Sequence, residues 1–308
     1  MRKGGAPVVG SVLWIGGPPG AGKTTMARLL ARRYGLRRYS ADVHTWEHRD
    51  RALAAGHAAA ARWERLPPAE RWSRPPDELL AMSLHHERGP MIAEDLRALP
   101  RAPLTVAEGT PVTPGVAGAG DRSVWLMPTP EVQRARLAER GIGAGVTALY
   151  RLLLEEIEAQ VAQAGARTLA VDGTRSVADT FAEVEKLFAD ALAVGPSAGS
   201  AAERARLARY ANRGIVRQYA AYFARPWTVG DLAGTVRLFT CECGDADCDA
   251  EVPLTLADFP APPEAHAPPE AHAPPDAPAP DSADEPAFPP VLAPGHRASP
   301  GRRRPALP

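Results

Sequence analysis

The sequence predicts an α/β domain built on a parallel β-sheet, followed by a small, mainly helical module that carries a cysteine cluster. Three observations predict this architecture. Short apolar segments alternate with helical segments as far as residue 193, which is the order that a parallel sheet requires. A glycine-rich motif follows the first apolar segment directly. Three cysteines fall within residues 241–248.

The glycine-rich motif lies between a predicted strand at residues 12–15 and a predicted helix at residues 24–34. It has the spacing G-x-x-x-x-G-K-[ST], in which backbone N–H groups turn inward around a phosphate and the helix directs its positive end at the same anion. Lys23 can then reach the β- and γ-phosphate oxygens, and the Thr24 hydroxyl can ligate Mg²⁺. We therefore predict ATP and Mg²⁺ as cofactors, while the sequence does not distinguish ATP from GTP. The residues predicted to bind the nucleotide are Gly17, Pro18, Pro19, Gly20, Ala21, Gly22, Lys23, Thr24 and Thr25.

The remaining elements follow from the same alternation of apolar patterns. Thr129 and Pro130 predict the start of a helix, as its N-cap and its first residue. Residues 49–100 form a predicted helical insertion that prolines interrupt at 67–68, 75–76 and 90. Further strands are predicted at residues 36–39, 104–107, 123–127 and 168–171, and further helices at residues 130–140, 147–164 and 177–193.

Acidic residues stand where predicted strands end, namely Asp42, Glu108 and Asp172. The carboxyl ends of parallel strands share one edge of the sheet, so we expect these residues near the phosphate loop. Asp42 is predicted to orient an acceptor hydroxyl, to take its proton, or to hold Mg²⁺ through water; the alternative is a helix N-cap. Glu108 is predicted to bind Mg²⁺ through water or to contact the substrate; the alternative is a solvated acid in a turn.

Arginine and tryptophan side chains supply further candidates. Arg136 and Arg140 lie four residues apart on one predicted helix face, where they can close over the nucleotide and neutralise the transferred charge. They can equally form ion pairs on a solvent-facing helix. Arg88, in the insertion, is predicted to hold a carboxylate or phosphate of the substrate, and Trp46 to line the same pocket. Each of these two can instead be a packed or surface side chain.

The cysteines are arranged as Cys241-x-Cys243-x₄-Cys248, a spacing that favours a tetrahedral Zn²⁺ site lacking one ligand. The fourth ligand is predicted to be His296, with His266 and His272 of a proline-rich repeat as alternatives. Three thiolates and one histidine would form a closed, structural site. The alternative is three reduced, buried thiols.

Composition sets the remaining expectations. The formal net charge is zero, which gives no reason to expect nucleic acid or an anionic membrane as partner of the whole chain. No apolar run is long enough to span a bilayer, and three clustered cysteines are a poor disulfide framework, so we expect a soluble, cytoplasmic protein. The predicted organisation is a nucleotide-binding domain at 1–195, a linker at 196–200, a module at 201–298 that a disordered proline-rich repeat interrupts at 260–290, and a disordered tail at 299–308.

Residues 9–193 resemble the P-loop small-molecule kinases, nearest to the shikimate/gluconate kinase-like group, with chloramphenicol phosphotransferase and zeta-toxin kinases as looser relatives. The phosphate loop, the spacing to Asp42 and the pair Arg136–Arg140 carry the resemblance. It implies a three-layer P-loop NTPase fold with five parallel strands in the order 2-3-1-4-5, an acceptor hydroxyl at Asp42, and lid arginines at 136 and 140. It also implies that adenine lies near Asp172 and Arg175.

Two departures limit what the resemblance implies. Glu108-Gly109 replaces the substrate-binding glycine run of shikimate kinases, and residues 44–49 indicate no particular substrate class. Separately, residues 202–296 look like a small domain of actinobacterial proteins of unknown role, which implies that His296 belongs with the cysteines.

The predicted function is transfer of the ATP γ-phosphoryl group to a hydroxyl of an unidentified small molecule. The alternative is a nucleotide-dependent regulatory or binding protein, or an NTP hydrolase, whose C-terminal module binds a protein or DNA. The arginine-rich helix expected at residues 201–223 favours that alternative.

Overall fold

The computed structural model describes residues 11–118, 120, 122–260 and 289–298. The chain forms two compact units, one comprising residues 1–30 and 38–196 and the other residues 31–37 and 197–308. The proline-rich repeat with His266 and His272, and the tail from 299, lie outside the described residues. In the described part of the chain, no helix is both long and apolar enough to cross a membrane.

The first unit is a five-stranded sheet with the strand order β2-β3-β1-β4-β5, which confirms the predicted P-loop NTPase fold. The pairs β1–β3, β1–β4 and β4–β5 are parallel. The strands are β1 (Val12–Gly16), β2 (Arg37–Ser40), β3 (Thr105–Glu108), β4 (Ser123–Pro128) and β5 (Thr168–Val171). The helices are α1 (Lys23–Tyr34), α2 (Thr45–Ala54), α3 (Ala58–Arg65), α4 (Pro68–Trp72), α5 (Pro76–Ser83), α6 (Arg88–Ala98), α7 (Pro114–Ala117), α8 (Pro130–Glu139), α9 (Ala144–Gln163), α10 (Val177–Leu187) and α11 (Ala189–Val194).

Burial of the central strand shows that both faces of the sheet are covered. All five residues of β1 are buried, although successive side chains of a strand point to opposite faces. Val12 and Trp14 pack with Ile92 and Leu96 of α6 in one core cluster. The strand order places β1 between β3 and β4, and the loop after β1 is therefore the centre of the carboxyl edge.

The insertion between β2 and β3 is helical, as predicted, but its prolines begin helices more than they break them. Pro68 and Pro76 are the first residues of α4 and α5, a position whose N–H has no intrahelical partner. Pro90 lies in the first turn of α6 for the same reason. Among these helices, two guanidinium groups lie over the Trp63 ring, with Arg49 4.7 Å and Arg71 4.3 Å from its centroid.

The second unit consists of one long helix, α12 (Ala201–Phe223), and an antiparallel pair, β6 (Val236–Thr240) and β7 (Glu251–Thr255). A small apolar cluster joins Val216 of the helix to Phe239 of β6. Glu242, which is buried, accepts a hydrogen bond from Asn212 at 2.8 Å and pairs with Arg209 at 2.6 Å. Strand β7 was not predicted from the sequence.

Candidate active site

The phosphate loop lies at the end of β1 and is shaped by backbone conformations that only glycine adopts easily. Gly17 has φ +131°, and a Cβ at this position would lie 2.3 Å from the Leu126 carbonyl oxygen of β4. The loop therefore runs directly against the neighbouring strand. Two side chains of α8 hold it from the other side: the Gln133 amide donates to the Pro19 carbonyl at 3.0 Å, and Arg136 Nη1 donates to the Gly20 carbonyl at 2.8 Å.

Lys23 is the first residue of α1, and its ammonium group is enclosed by the loop. Its side chain is buried, and Nζ donates to the Pro18 carbonyl at 2.9 Å and to Thr110 Oγ1 at 3.4 Å. Burial lowers the pKa of Lys23, while the negative charges of Asp42 and Glu108 oppose the shift. The group is thus a desolvated cation at the position where a nucleotide phosphate would supply the opposing charge.

The two carboxylates predicted from strand ends lie at this same point. Thr110 N donates a long hydrogen bond of 3.4 Å to Asp42 Oδ1, so Thr110 contacts both Asp42 and Lys23. Thr24 Oγ1 donates to Glu108 Oε2 at 3.1 Å. Gly109 allows this convergence, because a Cβ there, at φ +147°, would lie 2.7 Å from the Ala41 side chain. Sequence reasoning missed Thr110, although it follows Glu108-Gly109 directly.

Glu108 is fully buried, and its Oε1 has no hydrogen-bond partner among the described residues. Burial and the negative charge of Asp42 raise its pKa. An orphaned carboxylate oxygen beside a threonine hydroxyl and a second carboxylate is an oxygen-rich donor set of the kind Mg²⁺ prefers. The predicted Mg²⁺ residues, Thr24 and Glu108, therefore fit the ion.

Glu108→Gln is expected to stabilise the nucleotide-free protein at neutral pH and to weaken Mg²⁺-dependent nucleotide binding. The raised pKa means that the folded protein holds this proton more tightly than the unfolded chain does. The contribution of Glu108 to stability is fully present below the ordinary pKa of 4.5 and is lost as pH rises through the folded-state pKa. Because the Gln side chain is neutral at every pH, the Glu108→Gln protein does not lose stability in this way as the pH rises. Thermal melts of wild type and Glu108→Gln across pH 4–8 check the sign of this effect. The prediction is contradicted if the difference in melting temperature does not grow with pH, or if the exposed control Glu139→Gln shows an equal effect.

The two predicted lid arginines lie differently. Arg136 is half-buried and contacts the loop. Arg140 follows α8 directly and is exposed, and its positive charge lowers the pKa of Lys23. Glu131, an acid of the same helix, pairs with Arg134 at 3.2 Å. Tyr150 of α9, which sequence reasoning missed, is half-buried; burial and the charge of Asp42 raise its pKa.

Arg88 is buried in the insertion and is anchored by its neighbours. Its Nε donates to His48 Nδ1 at 3.1 Å, and Nη2 donates to the Ala41 carbonyl, directly before Asp42. His48 Nε2 in turn lies 2.7 Å from Asp95 Oδ2, to which the Tyr39 hydroxyl also donates. Burial lowers the pKa of His48 to about 4, so the imidazole is neutral at pH 7. This hydrogen-bonded chain fixes the backbone that carries Asp42.

The other predicted residues are Trp46, which is half-buried, and Asp172 and Arg175, which are exposed. His85, three residues before Arg88, is buried and its Nε2 has no hydrogen-bond partner among the described residues; burial lowers its pKa to about 3. Trp46 is half-buried on α2, with the Arg49 guanidinium 5.6 Å from its ring centroid. Asp172 and Arg175 are exposed after β5, where Asp172 Oδ1 accepts from Thr174 N at 3.0 Å.

The second unit brings the cysteine cluster together. Cys241, Cys243 and Cys248 are buried, and one ligand atom from each lies within 4.8 Å of the others and of a ring nitrogen of exposed His296. His296 Nδ1 is 3.5 Å from Cys241 Sγ and from Cys248 Sγ. Metal bonds of about 2.3 Å to sulfur and 2.0–2.1 Å to nitrogen give a tetrahedral N···S edge of about 3.6 Å. The four residues therefore fit a tetrahedral metal ion.

The sequence matches no protein-family model and no curated protein. A solved shikimate kinase from Acinetobacter baumannii in complex with shikimate is 18% identical and aligns with 59% of this chain and 94% of its own, with TM-score 0.38. A sugar kinase from Janibacter sp. HTCC2649 is 20% identical, with 60% and 98% coverage and TM-score 0.32. A shikimate kinase from Bacteroides thetaiotaomicron is 15% identical, with 58% and 98% coverage and TM-score 0.33. At these values the likeness does not extend to the substrate.

Proposed function

We propose that the first unit is an ATP-dependent kinase that transfers the γ-phosphoryl group to a hydroxyl of a small molecule. The observation that carries the proposal is the junction at Thr110, which contacts Lys23 of the phosphate loop and Asp42 of the acceptor side. A group that binds phosphate and a group that accepts a hydroxyl proton thus share one neighbour. Phosphoryl transfer requires these two groups side by side. The rate depends on holding the acceptor hydroxyl against the γ-phosphate and on stabilising the charge of the transferred group.

Each predicted residue of the site has a distinct role in this reaction. Lys23 exchanges its contact with the Pro18 carbonyl for the β- and γ-phosphate oxygens when ATP enters the loop. Asp42 orients the acceptor hydroxyl and takes its proton as the acceptor oxygen forms its bond to the γ-phosphorus and the bond to the bridging oxygen breaks, releasing ADP. Arg136 and Arg140 neutralise charge that develops on the transferred group. Asp172 and Arg175 contact the adenine end.

Thr24 and Glu108 would hold Mg²⁺ beside the phosphates. When bound, the ion neutralises the charge of the β- and γ-oxygens. The acceptor enters between Asp42 and the insertion that carries Trp46 and Arg88. Because Arg88 is anchored to His48 and to the Ala41 carbonyl, its principal role is to position Asp42, with any contact to the acceptor made through its remaining N–H groups.

For the second unit, we propose a structural Zn²⁺ site formed by Cys241, Cys243, Cys248 and His296. Burial raises the pKa of the Cys243 thiol to about 11, so a metal ion must displace a proton that the free thiol holds firmly at pH 7. With four protein ligands no position is left open for a substrate, which makes the role structural.

The regulatory alternative, in which the module binds a protein or DNA, remains a second proposal of lower rank. It depends on the arginines of α12 facing a partner. Arg204 Nε donates to the Gly244 carbonyl at 2.7 Å, and Arg209 pairs with Glu242. These two arginines therefore make contacts inside the second unit.

The experiment that tests the kinase is turnover of Mg·ATP with and without a pooled extract of small metabolites, read by mass spectrometry. A species heavier by one phosphoryl group, formed by the full chain and absent with Lys23→Ala, is the expected result. Slow ADP release that the extract does not change would overturn the kinase in favour of a hydrolase or switch. A DNA shift that depends on salt would then direct attention to the module.

A further inference from the structure

Arg32 is a buried arginine that the phosphate chemistry does not use. It stands in the last turn of α1, belongs to the second unit and is 7% exposed. Its Nε donates to the Cys248 carbonyl at 3.0 Å, and its Nη2 donates to the Cys241 carbonyl and, at 3.4 Å, to Cys243 Sγ. One guanidinium group therefore reaches all three cysteines.

No carboxylate among the described residues compensates the charge of Arg32. None of the ion pairs among the described residues includes it, and its Nη1 is buried without a hydrogen-bond partner in that part of the chain. Three protonated thiols and two carbonyl groups do not neutralise a guanidinium, and a buried unpaired charge is strongly destabilising. The cluster around Arg32 is complete only if the sulfur atoms carry negative charge.

We propose that Arg32 is the counter-charge and outer hydrogen-bond donor of a metal centre formed by Cys241, Cys243, Cys248 and His296. This inference rests on the proposed Zn²⁺ site. Three thiolates and a neutral imidazole around a divalent ion carry a net charge of −1, which one guanidinium balances. The Nη2 contact to Cys243 Sγ places that charge directly on a ligand atom.

Geometry makes the arginine specific for this role. In its planar guanidinium group, Nε donates to the Cys248 carbonyl while Nη2 donates to the Cys241 carbonyl and to Cys243 Sγ. A lysine at position 32 would keep the charge but place it at one point, and so serve fewer partners. Arg32 lies 209 to 216 positions before its partners in the sequence, and no spacing motif indicates the contact.

The test is the zinc affinity of the full chain, measured at pH 7 by competition with a chromogenic chelator. Arg32→Gln keeps an amide donor and removes the charge; we expect it to bind zinc about 10–100-fold more weakly than wild type. Arg32→Lys is expected to lose less. The neighbouring Arg33→Gln, an exposed site on the same helix, is the control and should stay within about twofold of wild type.

A second readout separates the charge from mere packing. With Co²⁺ in place of zinc, loss of the Nη–H···Sγ contact raises the electron density on Cys243, so the sulfur-to-metal charge-transfer band of Arg32→Gln should move to lower energy. Equal affinity and an unmoved band would overturn the role of Arg32 alone. Wild type that binds no zinc would overturn the metal site, and this inference with it, without affecting the kinase. If Arg32→Gln does not fold, the zinc affinity of Arg32→Lys is the deciding measurement. An affinity equal to that of wild type would show that the several hydrogen bonds of the guanidinium group do not support the metal site.

Discussion

Asp42→Asn is expected to lower phosphoryl transfer to the acceptor by about 10²–10⁴-fold and to leave the fold intact. The amide has the shape of the carboxylate and can still accept the 3.4 Å hydrogen bond from Thr110 N, but it cannot take a proton from the acceptor hydroxyl. Binding of Mg·ATP should persist, because Lys23 and Thr24 remain. The loss should therefore appear in kcat for the acceptor reaction more than in the affinity for nucleotide.

The measurement is the initial rate with the acceptor identified from the metabolite extract, together with nucleotide affinity by calorimetry. Asp77→Asn, an exposed acid on α5, is the matched control and should retain the wild-type rate. An Asp42→Asn protein with full transfer rate would show that Asp42 has only a structural role and that another group positions the hydroxyl. A rate lost together with nucleotide binding would instead point to a damaged loop.

The sheet was predictable because each of its parts has a local signal. Apolar runs mark the strands, the G-x-x-x-x-G-K-T spacing fixes the loop after β1, and the acids at 42 and 108 mark the carboxyl edge where β2 and β3 end. Register then follows: Ile15 pairs with Glu108, which brings that carboxylate to the start of the loop. The order of strands came from the resemblance and is the order observed.

What the sequence could not predict are contacts between distant segments that no motif encodes. Gln133 binds the Pro19 carbonyl across 114 positions, and Arg88 reaches the Ala41 carbonyl across 47. Arg32 has the appearance of an ordinary basic residue at a helix C-terminus. Strand β7 is short and contains Pro253, which argues against a strand until its antiparallel partner β6 is known.

Cys248→Ser is expected to abolish stoichiometric zinc binding and to melt the second unit at a much lower temperature. The core of this unit is a small apolar cluster, and small domains often depend on a metal for stability. The metal would also fasten residues 289–298, which in addition contact the module through hydrogen bonds such as Val291 N donating to Glu242 Oε2 at 3.0 Å. Structural zinc contributes about 10–16 kcal/mol of apparent free energy in zinc-finger peptides, which is as large as the whole free energy of unfolding of a typical domain.

Thermal melting of the full chain, with and without a zinc chelator, measures this dependence. In wild type, the chelator should move the unfolding transition of the second unit to a much lower temperature, whereas Cys248→Ser should already unfold at that lower temperature and respond no further. Lys23→Ala serves as the control, because it leaves the metal ligands untouched and should show the wild-type response to chelator. Since the thiol and the hydroxyl are nearly isosteric, an unchanged melt in Cys248→Ser would mean that packing alone holds the cluster together. The buried Arg32 would then require an anion from another source.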